Sequence, residues 1–417
     1  MIRRCILFTG AAALASTATA APDLRLERLE TVDVPALTQE IVHYSPRDRL
    51  LAVTDPFWKT LDLYRVAALG PPRLEPLDFN EDEDGPQGVP LIGEPTSVAV
   101  DPNRPLAYVS MLGRHSADRG WVLAVGLGPG EVGRTRRAWR CGFHPDALAL
   151  SPDGRWLLVA NEGEGHPDTP GEIGAFDLQG WYHQTRGAAA PPYRTVGDLG
   201  ALFRESAGDI EPEFIAWTPT SGLFAVSCQD NDAVVIGRVG PNGPELTALH
   251  FLGYGADPDG VALIDGVPGP QGRPGALLAV AEEGRLDRKG VWKGLAVSLW
   301  WIDPAAPGQP PLARGRLAMT EFFAKDFAEG KLRNPESVAL ARWRGHVLLF
   351  AAIEHGDRLG LWEVSDPDRP RLIDFAKVGD RPEGIEVVEE ADRLIIITGD
   401  EGNDGPGTLT FLQVTLR

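Results

Sequence analysis

Cysteine is scarce in this chain, and the few cysteines form no regular pattern. Only three occur among 417 residues, at positions 5, 141 and 228. A small scaffold held together by disulfides needs closely spaced pairs, so that class of fold is excluded. In the mature chain Cys141 and Cys228 remain. The sequence fits either one disulfide between neighbouring repeats or two buried free thiols.

Positive charge is also in short supply. The chain has 40 Lys and Arg against 59 Asp and Glu, and its formal net charge is −19. The single basic cluster, Arg134–Arg140, fits a solvated loop or strand face. Proteins bind nucleic acids and anionic lipids through clustered Lys and Arg, so we expect neither as a partner. The excess of negative charge favours the binding of cations, including metal ions, or simply keeps the protein soluble.

Beyond the N-terminus, the sequence has no apolar run near the ~18 residues of a membrane-spanning helix. The start itself has a positive pair, Arg3 and Arg4, then the apolar stretch Cys5–Leu14 and the small residues Ala18–Ala20. This order predicts a signal peptide over residues 1–20 that is cleaved after Ala20. The mature chain, residues 21–417, is then expected to be periplasmic or secreted and not inserted in a membrane.

Common catalytic motifs are missing as well. The sequence has no Gly-x-Ser-x-Gly elbow, no His-Glu-x-x-His zinc helix and no phosphate-binding Gly-x-x-x-x-Gly-Lys-Ser/Thr loop. The eight histidines do not cluster along the chain. His144 and His355 fall at the ends of predicted strands, where each fits a ligand, an acid/base group or a hydrogen-bonded surface side chain. The sequence therefore assigns no catalytic residue and leaves enzymatic activity open.

Glycine and proline are abundant, and they separate short apolar runs. The chain has 48 Gly and 36 Pro, which favours many strands and turns over long helices. The clearest unit is His144–Gly165. In it the apolar run Ala147–Leu150, the turn Ser151–Gly154 and the apolar run Trp156–Ala160 lead to a polar, acidic end. This unit predicts a β-hairpin whose two ends lie on the same side.

Seven copies of this unit occur along the chain. Each begins with a proline or its equivalent and a usually acidic residue, followed by two apolar runs around a turn. The prolines and their one equivalent are Gln39, Pro95, Pro145, Pro212, Pro258, Pro335 and Pro382. Their spacing, between 46 and 77 residues, is typical of propeller blades with four strands and variable loops. We therefore predict an all-β, seven-bladed propeller that forms a single domain over residues 21–417.

Two segments fall outside the repeated unit. The last copy stops after its third strand, and Leu24–Val34 alternates like a strand. We predict that Leu24–Val34 supplies the fourth strand of the last blade, so that the two termini close the ring and hide its sheet edges. Met319–Lys331, in the longest gap between copies, is predicted to be an amphipathic helical insertion that packs on the ring or acts as a lid.

The repeats place their acidic residues at one end of the predicted ring. The first strand of each blade is innermost, so the starts of the seven first strands surround the mouth of the central channel. Six of the seven residues after the proline position are acidic, and only Thr96 is not. The six are Glu40, Asp146, Glu213, Asp259, Glu336 and Glu383. The second strands end at the same rim and add further acidic residues, among them Glu162, Glu282 and Asp400.

Two interpretations of these carboxylates remain open. Carboxylates crowded on one rim repel each other, and bound cations, protonation or pairing with Arg would relieve that repulsion. Oxygen ligands without a His/Cys set favour calcium as the metal. Alternatively, each carboxylate accepts backbone N–H bonds and fixes a turn. The candidate calcium ligands are Asp146, Glu162, Glu213, Asp259, Glu282, Glu336, Glu383 and Asp400. A separate loop, Asp78–Gly85, matches the first half of a calcium loop or is simply solvated.

Six segments carry a resemblance to a known family, and they are Asp146–Gly154, Leu158–Glu164, Asp209–Ala216, Gln229–Ala233, Asn334–Ala339 and Gly360–Pro367. They resemble the choice-of-anchor I family of bacterial surface and secreted propellers, over roughly residues 40–415. The resemblance implies a seven-bladed propeller, and some members are labelled alkaline-phosphatase-like or phytase-like. The chain departs from the calcium-dependent propeller phytases because it has no Lys/Arg cluster on the rim for a polyphosphate.

The sequence supports two main hypotheses about function, beside a third, structural one in which the chain is a cell-surface assembly protein. In the first, the chain is an exported, monomeric scaffold that binds an unknown small-molecule or protein ligand at the acidic rim, assisted by calcium. In the alternative, carboxylates at the channel mouth hold calcium that activates water, and the protein is a calcium-dependent phosphoesterase.

Overall fold

The computed structural model describes residues 24–34, 38–80, 86–115, 117–163, 168–179, 181, 191–390, 392–402 and 406–416. The predicted signal peptide, residues 1–20, lies outside the described residues, as does most of the acidic half of the 78–85 loop. The described residues form 29 β-strands and three short α-helices.

The strands form seven antiparallel blades around a central channel. The first strand in the chain, β1 (Leu24–Asp33), belongs to the last blade. Blade 1 contains β2 (Val42–Ser45), β3 (Leu50–Asp55), β4 (Thr60–Leu69), β5 (Pro72–Pro76) and the short β6 (Val89–Pro90). Blade 2 contains β7 (Pro95–Val100), β8 (Leu106–Met111), β9 (Arg119–Gly126) and β10 (Thr135–Phe143). Blade 3 contains β11 (Pro145–Leu150), β12 (Trp156–Asn161), β13 (Glu172–Asp177) and β14 (Tyr193–Thr195).

Blades 4 to 7 follow the same order from the channel outwards. Blade 4 contains β15 (Pro212–Trp217), β16 (Leu223–Cys228), β17 (Ala233–Gly240) and β18 (Gly243–Phe251). Blade 5 contains β19 (Pro258–Pro268), β20 (Pro274–Glu282), β21 (Ala296–Ile302) and β22 (Leu312–Ala318). Blade 6 contains β23 (Pro335–Trp343), β24 (His346–Ile353), β25 (Arg358–Glu363) and β26 (Arg371–Lys377). Blade 7 contains β27 (Pro382–Glu390), β28 (Arg393–Asp400), β29 (Thr408–Leu416) and, outermost, β1.

Blade 7 closes the ring with strands from both ends of the chain. β1 runs antiparallel to β29, from the pair Leu24 and Leu416 to the pair Asp33 and Thr408. The predicted seven-bladed propeller and its closure by the terminal strands are therefore confirmed. The antiparallel order also fixes a mouth face, which we define as the end of the propeller at which the inner strands begin. The loops between second and third strands, and those between blades, lie on this face.

The core lies between blades rather than within one layer. Seven buried apolar clusters are present, each shared by two neighbouring blades. In β3, Leu51 belongs to the cluster that contains Ile395 of blade 7, whereas the next residue, Ala52, belongs to the cluster that contains Val98 of blade 2. Successive side chains of a strand point to opposite faces, so a strand covered on both sides must be apolar throughout. This requirement explains the continuous apolar runs of the second strands.

Short helices lie on the mouth face. In α1 (Leu199–Phe203), the Asp198 side chain caps the first turn by accepting a hydrogen bond from the Ala201 N–H at 3.0 Å. The segment predicted as one helix contains two, α2 (Met319–Phe322) and α3 (Ala324–Ala328). They pack on the ring through Phe322, whose ring centroid lies 5.6 Å from that of Trp362 in blade 6.

Both cysteines that the structure describes are free and buried. Cys141 lies in β10 and Cys228 at the end of β16, and neither forms a disulfide. Of the two alternatives that the sequence left open, the structure shows buried free thiols. Burial raises the pKa of both thiols, so they act as small apolar core groups.

None of the helices in the described residues combines the length and the apolar character needed to cross a bilayer.

Docking of β1 should contribute measurably to stability. Leu26 of β1 is only 5% exposed and packs between blades 6 and 7, so Leu26→Ala should lower the free energy of unfolding by about 2–4 kcal/mol. Urea denaturation followed by circular dichroism measures this loss. Arg25→Ala, on the exposed face of the same strand, is the matched control. Equal and small losses in both variants would contradict a docked closing strand.

Candidate functional site

The acidic residues of the mouth sit in irregular turns of the inner strands. In β11, Pro145 pairs with Asn161 and Leu148 pairs with Val159, so the inner strand carries one extra residue between these pairs. This β-bulge contains Asp146. The same displacement after the proline occurs in β15, β19, β23 and β27, and a similar one occurs in β7. Because a bulge re-aims a side chain, it lets the residue after each proline face the channel.

The inner strands approach each other very closely beside these bulges. A Cβ on Gly260 would lie 2.6 Å from the Cα of Ser337 in the next blade, so only glycine fits there. The Gly384 N–H donates a hydrogen bond of 3.2 Å to the carbonyl of Glu40, which links blade 7 to blade 1. Acidic side chains from neighbouring blades are therefore forced into one small space.

That space is a cavity of about 260 Å³ at the mouth of the channel. Six of the eight predicted calcium ligands line it, together with Glu40, and no Lys or Arg is among its described lining residues. The lining residues are Glu40, Ile41, Thr96, Asp146, Glu162, Glu213, Phe214, Gln229, Asp259, Glu336, Ser337 and Glu383.

Among the residues that the structure describes, two groups of three carboxylates have the spacing of metal ligands. The first contains Asp146, Glu162 and Glu213, and the second contains Asp259, Glu283 and Glu336. Within each group, one oxygen of every side chain lies within 4.8 Å of the others, so each group could hold a metal ion. Asp146 and Glu213 start neighbouring inner strands, and Glu162 follows the second strand of blade 3, as the hairpin geometry requires.

Neighbouring carboxyl groups share hydrogen bonds across the blades. Asp146 is hydrogen-bonded to Glu213, and Asp259 is hydrogen-bonded to Glu336. A bond between two carboxyl groups needs a proton on one of them. Burial, and then the neighbouring carboxylates, hold the pKa of Glu213 and of Glu336 well above the usual range. The glutamic acids therefore carry the protons and donate to the aspartates.

Several other carboxyl groups of the mouth also have raised pKa values. Burial, and then the negative charge of Glu401, raise the pKa of Glu40 to about 8. Burial also raises the pKa of Asp146 to about 7 and that of Glu283 to about 7. The pKa of Glu383 is well above its usual range for the same reason. Near neutral pH the mouth thus holds protons that a bound cation would displace.

Two predicted ligands lie away from this cavity. Glu282 accepts a 2.5 Å charged hydrogen bond from Arg316 within blade 5. Asp400 is fully buried and accepts hydrogen bonds from the hydroxyls of Thr398 (2.8 Å), Thr408 (2.9 Å) and Thr410 (2.7 Å). Both residues end second strands, where their side chains bond to the third or fourth strand of the same blade rather than point at the axis.

Glu283 belongs to one of the two groups of three carboxylates, although the sequence predicted its neighbour Glu282 as the ligand. Its carboxylate accepts hydrogen bonds from the side-chain amides of Gln229 (3.1 Å) and Asn334 (3.0 Å). The signal that identifies it is the side-chain alternation of β20, because consecutive residues at a strand end face opposite ways.

The two rim histidines are both paired with mouth carboxylates. His144 Nδ1 contacts the Glu162 carboxylate, and His355 Nδ1 lies 2.7 Å from Asn334 Oδ1 and 2.8 Å from Glu354 Oε2. His144 also has a φ of 46°, a left-handed conformation that is unusual directly before proline. Such strain at a site edge is kept only when surrounding contacts enforce it.

The mouth face also carries most of the exposed apolar side chains. Among the described residues, eight of twelve exposed large apolar side chains lie in its loops or at a strand end next to them, including every aromatic one. They are Phe57, Trp58, Ile92, Phe251, Tyr254, Leu286, Val291 and Trp292. The exposed fractions of Phe57 and Tyr254 are 59% and 65%. Aromatic side chains are enriched in protein interfaces, so the mouth face has the composition of a contact surface.

Comparisons with known proteins agree with this architecture. A family model described as the choice-of-anchor I domain matches residues 40–255, slightly more than half of the chain. The crystal structure of the Myceliophteria thermophila Cps50 (Swd1) beta-propeller domain is similar to this chain with a TM-score of 0.59 and 11% sequence identity. The similarity covers 93% of this chain and 99% of that one, and at this identity it shows the fold alone. A search of curated proteins gave no significant match.

The raised pKa values predict an unusual dependence of stability on pH. The folded pKa values of Glu40, Asp146 and Glu283 exceed their unfolded values, so the folded state binds more protons between about pH 5 and 8. In the presence of a chelator, the thermal unfolding midpoint should therefore fall as the pH rises through 7 and 8. Glu40→Gln should flatten this decline. A midpoint that is constant or rises over the same range would contradict the protonated mouth.

Proposed function

Because the chain belongs to the choice-of-anchor I domain family, we propose that it is an extracellular interaction scaffold whose partner binds the mouth face, assisted by a calcium ion among the mouth carboxylates. Domains of this family are typically carried by extracellular proteins. An extracellular setting also agrees with the signal peptide expected over residues 1–20.

The concentration of carboxyl groups in one cavity is the observation that carries the cation part. Asp146, Glu162 and Glu213 offer oxygen ligands from two neighbouring blades within 4.8 Å of one another. Calcium takes six to eight oxygen ligands in flexible geometry, whereas zinc and copper favour nitrogen or sulfur ligands. Gln229 and backbone carbonyls at the mouth could complete such a set. A divalent cation would also offset the repulsion between carboxylates, which adds to burial in keeping the glutamic acids protonated.

The position of the exposed aromatic side chains supports the interaction part. Trp58 and Ile92 lie on the blade 1 side of the mouth, and Tyr254 and Trp292 lie on the blade 4 and 5 side. A partner that spans the mouth would cover both patches and would meet the acidic cavity between them. The fold alone does not identify this partner, because propellers serve many functions.

The alternative of a calcium-dependent phosphoesterase stays a prediction. A phosphoester at the mouth would depend on the cation alone, since the described residues that line the cavity include no Lys or Arg. Hydrolysis of p-nitrophenyl phosphate by the purified protein with calcium, abolished by Glu213→Gln, would favour this alternative over a scaffold.

Calcium should bind at the mouth and stabilise the fold. At a free concentration about 100 times Kd, binding to the folded state alone adds about 2.7 kcal/mol to the free energy of unfolding. We expect Glu213→Gln to lose most of this gain because it removes a ligand oxygen that can become charged. The same variant should be at least as stable as the wild type in chelator at pH 8, because the Gln amide still donates to Asp146 without a proton to lose. Calorimetric titration and thermal melts measure both effects.

Controls separate this site from non-specific screening of an acidic protein. Glu75→Gln removes an exposed carboxylate whose side chain is 73% exposed, far from the channel, and should keep the full calcium response. No heat of binding, together with equal melting temperatures in calcium and in chelator, would remove calcium from the proposal. Equal losses in Glu213→Gln and Glu75→Gln would instead point to general charge screening.

A further inference from the structure

The central channel contains a second cavity below the acidic mouth. This lower chamber has a volume of about 400 Å³ and opens towards the face opposite the mouth. Ile41 and Phe214 line both cavities and form the boundary between them. Its walls are the lower halves of five inner strands, β2, β7, β11, β15 and β27. The volume lies within the ~300–1,000 Å³ of ordinary small-molecule sites.

The walls of the lower chamber are mostly apolar. Leu150 and Ile385 supply aliphatic surface, and Trp217 supplies an indole. The indole N–H is already used, since it donates to the carbonyl of Ala149 at 3.3 Å. Apolar side chains therefore form much of the chamber wall, and Trp217 makes one part of it aromatic.

The polar side chains of the wall are mostly bonded to the protein itself. Ser97 Oγ accepts a hydrogen bond from the Leu148 N–H at 3.3 Å, and Ser151 Oγ donates to Asp153 at 2.6 Å. These hydroxyls are therefore occupied. The remaining polar side chains of the wall are His43 and Glu386, and they are its only titratable groups among the described residues.

Glu386 is only partly satisfied by the protein. Its Oε1 accepts a hydrogen bond from the Tyr44 N–H at 3.2 Å, while its Oε2 has no hydrogen-bond partner among the described residues. Burial raises the pKa of this carboxyl, and nearby His43 lowers it. The second carboxylate oxygen therefore faces the chamber without a partner in the described part of the chain and is available to a hydrogen-bond donor of a ligand.

We propose that the lower chamber binds a small organic molecule that has an apolar, preferably aromatic, body and one protonated amine that pairs with Glu386. One carboxylate and one imidazole are too few ligands for calcium, which needs six or more oxygens. An anionic ligand would be repelled by Glu386. A neutral ligand could at most donate a weaker, uncharged hydrogen bond to Oε2, whereas an ammonium group forms a charge-assisted hydrogen bond with it. The Trp217 and Phe214 rings suit an aromatic body.

Three compounds with the same aromatic body test this assignment. They are 2-phenylethylamine, 2-phenylethanol and phenylacetate, which carry a positive, a neutral and a negative head group. Isothermal titration at pH 7 should give a Kd for the amine at least tenfold lower than that for the alcohol, and no binding of phenylacetate. Glu386→Gln keeps an acceptor for the Tyr44 N–H but loses the charge. In this variant the Kd values of the amine and the alcohol should differ by no more than about twofold.

Further variants test whether the amine binds in the lower chamber. Leu150→Trp, at a half-buried wall position, should fill the space and abolish binding of both the amine and the alcohol while the melting curve stays cooperative. Glu213→Gln at the mouth should leave the affinity for the amine unchanged. Glu386→Gln should likewise leave the calcium response unchanged, so failure at one site is distinguishable from failure at the other.

Three outcomes would overturn the proposal. The first is that none of the compounds binds at millimolar concentration. The second is that Glu386→Gln binds the amine as the wild type does. The third is that Glu213→Gln, and not Glu386→Gln, weakens binding of the amine. That result would place the ammonium group among the mouth carboxylates.

Discussion

The close approach of seven inner strands around one axis is the constraint on which the rest of this structure depends. Gly260 lies against the backbone of Ser337, and Gly384 is hydrogen-bonded to Glu40 across the junction of the first and last blades. Strands this close leave only a narrow channel, so whatever side chains point inward must share it. The sequence of each inner strand therefore decides the chemistry of the channel at its own depth.

The two ends of that channel differ because each inner strand changes character along its length. The residue after the proline is acidic in most blades, and the following residues are apolar. The seven inner strands run in the same direction around the axis, so equivalent residues lie at the same depth. The channel therefore has a layer of carboxyl groups at its mouth and an apolar layer below it. Ile41 and Phe214, which line both cavities, mark the transition. Burial in this confined space, more than any single neighbour, raises the pKa of the upper carboxyl groups.

Much of this arrangement could be predicted from the sequence because the repeats carry it. The spacing of the prolines predicted the blades, and the alternation of Leu24–Val34 predicted the closing strand. The acidic residues after Pro145, Pro212, Pro258, Pro335 and Pro382 were predicted at the mouth and line its cavity. Repeats reveal which positions are equivalent, and equivalent positions in a ring must meet at the axis.

The parts that escaped prediction depend on contacts that no repeat specifies. The bulges that turn Asp146 and its equivalents inward follow from backbone pairing and are not visible in residue types. Glu282 and Glu283 are adjacent acids, and only the register of β20 separates the one bonded to Arg316 from the one near the axis. The lower chamber was not foreseen, since an apolar residue on an inner strand looks the same whether it packs or lines a cavity.

The pairing of β1 with β29 has a consequence for the order of events as the chain folds. The first strand that the structure describes pairs with a strand nearly 400 residues later in the chain. It therefore stays unpaired until almost the whole chain is available. Six blades can assemble from consecutive segments, but the seventh cannot. Closure is therefore a late step with a large sequence separation, the kind of contact that slows folding. Until it occurs, β29 and the outer face of blade 6 present an open edge, and a chaperone or a second chain could bind there.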